Sequence, residues 1–87
     1  MMATEVAFTL NAADCDTLLD LGFACSTGTR GYAFDLVLAH QWFNLAALAG
    51  SDEAQHCRAD IASQMTRREI AEAQRNARTW LASHSRH

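Results

Sequence analysis

The chain has 87 residues, 49% of them hydrophobic and only 20% charged, with no proline, which points to one small folded domain rather than a disordered segment or a multidomain array. A formal net charge of −3, with arginine as the only strong base, gives no electrostatic reason to bind nucleic acid or an anionic membrane surface. Three cysteines, Cys15, Cys25 and Cys57, are an odd set that suits no closed disulfide framework.

Residues 1 to 11 alternate weakly, with Val6, Phe8 and Leu10 apolar, and read as a loosely held extended arm. The opening stretch lacks a basic region followed by an apolar core, and no run approaches the length of a membrane span, so the expectation is a reduced, cytoplasmic chain with no membrane partner. Asn11 then stands as an N-cap, with Asp14 three residues on, for a helix over 12 to 27. Leu18, Leu21, Gly22 and Cys25 fall on one stripe of that helix, flanked by Leu19 and Phe23. A glycine in a helix interior costs about 1 kcal/mol against alanine, and the reason to tolerate Gly22 is close approach by another helix. Cys15 and Cys25 would stand roughly 15 Å apart on this helix, too far to bridge.

Gly28 is a C-cap candidate, Gly31 supplies a second turn, and Asp35 caps a second helix over 36 to 49. Its sequence sets Trp42 beside Phe43 and then thins to Ala46, Ala47 and Ala49. Neighbours on a helix point about 100° apart, so the two rings cannot share one narrow stripe. Leu36, Ala39, Phe43 and Ala46 form one stripe, and Leu38, Trp42, Leu45 and Ala49 a second beside it, with His40, Gln41 and Asn44 left for solvent. This helix needs two apolar neighbours. Gly50 closes it and Ser51 caps a third helix, over 52 to 64, whose buried face is Ala54, Cys57, Ile61 and Met65. Thr66 and Glu69 make a capping box, and Met65 and Ile70 a hydrophobic staple, for a fourth helix over 67 to 83 that buries Ile70, Ala73, Ala77, Trp80 and Leu81. The expectation is an all-α domain over 12 to 83, four helices arranged as two successive antiparallel hairpins, with 84 to 87 as a tail. The second helix would lie between its hairpin partner and the following hairpin, so that Trp42 and Phe43 each meet a different wall.

The stretch LGFACSTGTRGYAFDLVLAHQWFNLAALAGSDEAQ resembles a Sel1-like repeat, a relative of the tetratricopeptide repeat. The features that carry the resemblance are Leu21 and Gly22 on the first helix, Gly28 and Gly31 in the loop, and Asp35 ahead of the second helix. They continue with Ala39, Trp42, Phe43, Ala46, Ala47 and Gly50, and with Glu53, Ala54 and Gln55 opening the next unit. The resemblance covers residues 15 to 57, and the remainder looks like the atypical unit that closes such proteins. The loop from Gly28 to Asp35 is a residue longer than the usual one and lacks its Val-Pro, and a single full repeat stands where several normally stack. The resemblance implies a short right-handed α-solenoid and a scaffold or adaptor for protein–protein contacts. Its binding surface would draw on Asp16, Leu19, Asp20 and Phe23 of the first helix. Because a solenoid unit buries its faces only against neighbours, the single repeat also predicts self-association, as a homodimer through the first helix and the arm.

Chemistry is sparse by comparison. His56 and Cys57 are sequence neighbours and point apart on a helix, whereas thiol catalysis needs a thiolate beside a base. No His or Cys pair shows ligand spacing on one face, and His84 and His87 lie in the polar tail. Arg68, Arg75 and Arg78 share one side of the last helix, but Glu72 sits among them, within i,i+4 reach of Arg68 and i,i+3 reach of Arg75, which reads as a solvated ion-pair face. No nucleophile–base set, phosphate loop or carboxylate pair emerges. The expectation is a non-enzymatic interaction module with no cofactor, no metal and no nucleic-acid ligand. Its rivals are a small helical nucleic-acid regulator and a subunit stable only in an assembly.

Overall fold

In a computed structural model of the protein, residues 12–84 are described, with side chains from 15 to 83. The expected arm, its Asn11–Asp14 capping box and the tail lie outside the described residues. The described chain forms four helices and no strand: α1 (Ala12–Thr27), α2 (Leu36–Leu48), α3 (Asp52–Ala62) and α4 (Arg67–His84).

The helix boundaries follow from local hydrogen bonding that the sequence encodes. The carboxylate of Asp35 accepts from the Leu38 N–H at 3.1 Å, and the Ser51 hydroxyl accepts from the Ala54 N–H at 2.9 Å, each satisfying an orphan donor of a first turn. Thr66 and Glu69 bond reciprocally: the Thr66 N–H donates to Glu69 Oε1 at 2.8 Å, and the Glu69 N–H donates to Thr66 Oγ1 at 3.1 Å. At the end of α2, Gly50 takes φ 111°, and the N–H groups of Ser51 and Gly50 donate to the carbonyls of Ala46 and Ala47, both at 3.0 Å. That pair of bonds is a Schellman motif, whose left-handed residue glycine adopts without strain.

The α1–α2 pair is antiparallel. The Asp35 N–H bonds the Cys25 carbonyl at 2.9 Å, joining the end of α1 to the start of α2, while the Cys15 thiol reaches the Ala46 carbonyl near the other end, at 3.6 Å. In the loop between them, Arg30 (φ 58°) and Gly31 (φ 83°) both turn left-handed; the arginine has no glycine-like signal in the sequence.

The principal interfaces are α1–α2, α2–α3 and α2–α4, so α2 is the hub of the fold. The core draws Leu18 and Cys25 from α1, Ala39, Phe43, Leu45 and Ala46 from α2, Ala54 and Ile61 from α3, and Ala77 from α4. The two rings of α2 find different walls, as its double stripe requires. Phe43 is fully buried and meets the Phe23 ring of α1 edge-on at 5.4 Å between centroids. Trp42 meets Trp80 of α4 edge-on at 6.1 Å. The separation is not total, because the Trp42 side chain also hydrogen-bonds the Cys25 sulfur of α1. Gly22 lies directly beneath Phe43: a Cβ there would stand 2.5 Å from two ring carbons.

The polar side of α2 departs from expectation. His40 and Gln41, assigned to solvent, are 3% and 7% exposed, and Asn44 is half-buried, its Oδ1 accepting from Arg58 Nη1 of α3 at 2.7 Å. Three helices surround α2, which leaves little of its circumference to water, so even its polar residues become interior. Leu38, expected in a buried stripe, is 38% exposed. Burial, and after it the Arg58 charge, lower the pKa of His40 below its usual value, and its Nδ1 has no hydrogen-bond partner among the described residues.

Candidate docking face on α1 and α3

The four α1 residues singled out for binding lie along one side of the helix, at spacings of three and four. Asp16 and Asp20 are exposed, Leu19 is half-buried against the core, and Phe23 is 38% exposed although its ring stacks on the buried Phe43. Phe23 thus presents an apolar edge to solvent on a rigid base. The repeat-signature residues serve the packing beneath it. Ala39, Phe43 and Ala46 are fully buried, Gly22 is buried, Leu21 and Trp42 are half-buried, and Gly50 forms the exposed turn.

Beside Phe23, α1 and α3 enclose a cleft of about 170 Å³ lined by Phe23, Ser26, Phe43, Cys57, Asp60 and Ile61. Its floor is apolar and its α3 wall acidic. Glu53, Cys57 and Asp60 follow one another at i, i+4 and i+7 on α3, and both carboxylates stand near enough to the thiol to act on it. Burial first, and then those two charges, push the Cys57 thiol up. Burial followed by the Asp35 charge raises Cys25 as well, against the opposing Trp42 hydrogen bond. Both are therefore held as thiols, a poor state for a nucleophile. His56 is exposed, with Nδ1 at 2.9 Å from the Asp52 carbonyl of its own helix. A second cleft, about 260 Å³, lies on the far side of α1 against the loop and is lined by Thr17, Asp20, Leu21, Ala24, Arg30 and Tyr32.

Among the described residues no three His, Cys, Asp or Glu side chains gather as a metal site requires, and no helix is long and apolar enough to cross a membrane. The acidic wall contributed by α3 was not foreseen. Its signal was the placement of Asp60 in the last turn of that helix, where the dipole favours a base. No family model, no curated protein and no solved structure matches the chain.

Proposed function

We propose that the chain is a non-enzymatic protein–protein interaction module built on a Sel1-like repeat, a scaffold or adaptor acting in the cytoplasm and assembling as a homodimer. The observation that carries the reading is Phe23, an aromatic side chain left 38% exposed on a fixed base, whereas Leu18, Leu19, Leu21, Ala24 and Cys25 of α1 are buried or half-buried. Exposed aromatic edges with rigid support are typical anchors of protein interfaces. Agreement of the hairpin packing with the repeat signature supports the same reading: a glycine under Phe43, alanines at the crossing, and a tryptophan on the opposite side. Raised thiols fit a binding role better than nucleophilic catalysis.

The test is affinity capture from the native host with the wild-type chain and with Phe23→Glu, each checked for helicity first. The reading predicts a specific protein retained by the wild type and lost by the variant. Identical capture by both would refute it. Sedimentation at tens of micromolar, predicted to give a dimer, tests the assembly separately.

A further inference from the structure

We propose that the α1–α3 cleft is the docking site for a cationic segment of a partner protein, one carrying a single aliphatic anchor side chain flanked by arginine or lysine. The inference rests on the reading of the chain as a docking module and names the chemistry of what docks.

Two properties of the cleft select that chemistry. Its floor of Phe23, Phe43 and Ile61 and its volume of about 170 Å³ suit one aliphatic side chain, not an extended apolar face. Its surroundings carry one sign of charge. Asp60 lines it, Glu53 lies one turn beyond Cys57 on the same side of α3, and Asp16 lies two turns before Phe23 on α1. No base on these two helices offsets them there. The α1 sequence contains none, and Arg58 of α3 is turned to α2, where it donates to Asn44 at 2.7 Å. Asp60 also lies in the last turn of its helix, where an acidic group costs stability and a base would add to it. Exposed carboxylates around an apolar anchor point steer a cation and reject anions, so they contribute orientation and selectivity while the anchor contributes affinity. Polyanions such as nucleic acid are excluded from this face by the same charges.

The experiment uses the full chain and three labelled synthetic peptides, read by fluorescence anisotropy. One has a single leucine between arginines, the second has glutamates in place of the arginines, and the third has alanine in place of the leucine. The first is expected to bind, to weaken with added salt, and to shield Cys57 from alkylation, read by mass spectrometry. The other two are expected to bind at least about ten-fold more weakly. Asp60→Arg should weaken the first peptide roughly ten-fold. This substitution is exposed and suits the helix dipole, so the fold is retained. Equal binding of the arginine and glutamate peptides, indifference to Asp60→Arg, or an unshielded Cys57 would each overturn the proposal. So would a dimer that Asp60→Arg dissociates without any peptide binding, since the occupant would then be a second copy. If no peptide binds while Phe23→Glu still abolishes capture of a partner protein, this inference falls and the docking-module reading stands.

Discussion

Gly22→Ala should destabilise the protein, against the ordinary direction of that change in a helix. Replacing a helical glycine by alanine normally adds about 1 kcal/mol of stability. Here the new methyl would sit 2.5 Å from Cδ1 and Cε1 of Phe43, more than about 1 Å inside comfortable carbon–carbon separation. The ring is 1% exposed and braced by Phe23 at 5.4 Å, so any shift that relieves the clash disturbs that contact. Overpacking of this kind costs about 1–3 kcal/mol, which exceeds the propensity gain over most of that range. The expected net loss is about 1 kcal/mol, or a fall in Tm of about 4–8 °C for a domain of this size. Thermal unfolding followed by circular dichroism, at one fixed protein concentration, measures it. The same substitution made in a Phe43→Leu background should become neutral or stabilising, because the clash is removed and the two sites are coupled. A Tm that rises in the wild-type background would refute the close approach of α1 and α2 at this point.

Three further outcomes follow from the packing. Trp42→Ala should cost about 2–4 kcal/mol, somewhat below the range for a fully buried tryptophan because the ring is half-buried, and a double-mutant cycle with Trp80→Ala should give a coupling of about 0.5–1.5 kcal/mol; additive losses in urea unfolding would contradict the edge-on pair. Thr66→Ala removes one arm of the reciprocal cap and should lower stability by about 1 kcal/mol by the same assay, whereas no change would show that the α4 start is held by other means. His40 takes up its proton at lower pH in the folded state than in the unfolded chain, so its contribution is intact above the unfolded value of about 6.5 and stability falls as pH drops below it toward the lowered native value. Urea midpoints measured from neutral to mildly acid pH should fall less for His40→Gln than for the wild type, and parallel slopes would count against the buried imidazole.

The helix ends were legible because each is written in a few adjacent residues. Asp35, Ser51 and the Thr66–Glu69 pair can satisfy orphan backbone groups only at helix starts, and Gly50 favours a left-handed close. Gly22 was legible as a contact for the same kind of reason, since a costly residue needs a compensating neighbour. The polar side of α2 was not. Sorting His40, Gln41 and Asn44 to solvent assumes that a polar residue marks the outside of a helix, an assumption that fails when three helices surround one. The Asn44–Arg58 bond joins residues 14 apart and leaves no periodic trace in either helix. On the binding side, the α1 residues were readable as a stripe, but the cleft was not, because its acidic wall belongs to α3 and exists only once α2 has set the two helices side by side.

The account depends most on α2 holding its two adjacent rings against different helices. Proton–proton nuclear Overhauser spectroscopy on the labelled protein measures that directly. Cross-peaks are predicted from the Phe43 ring to Gly22 Hα and the Phe23 ring, and from the Trp42 indole to the Trp80 indole. Cross-peaks from both residues to one helix alone, or none from either, would contradict it.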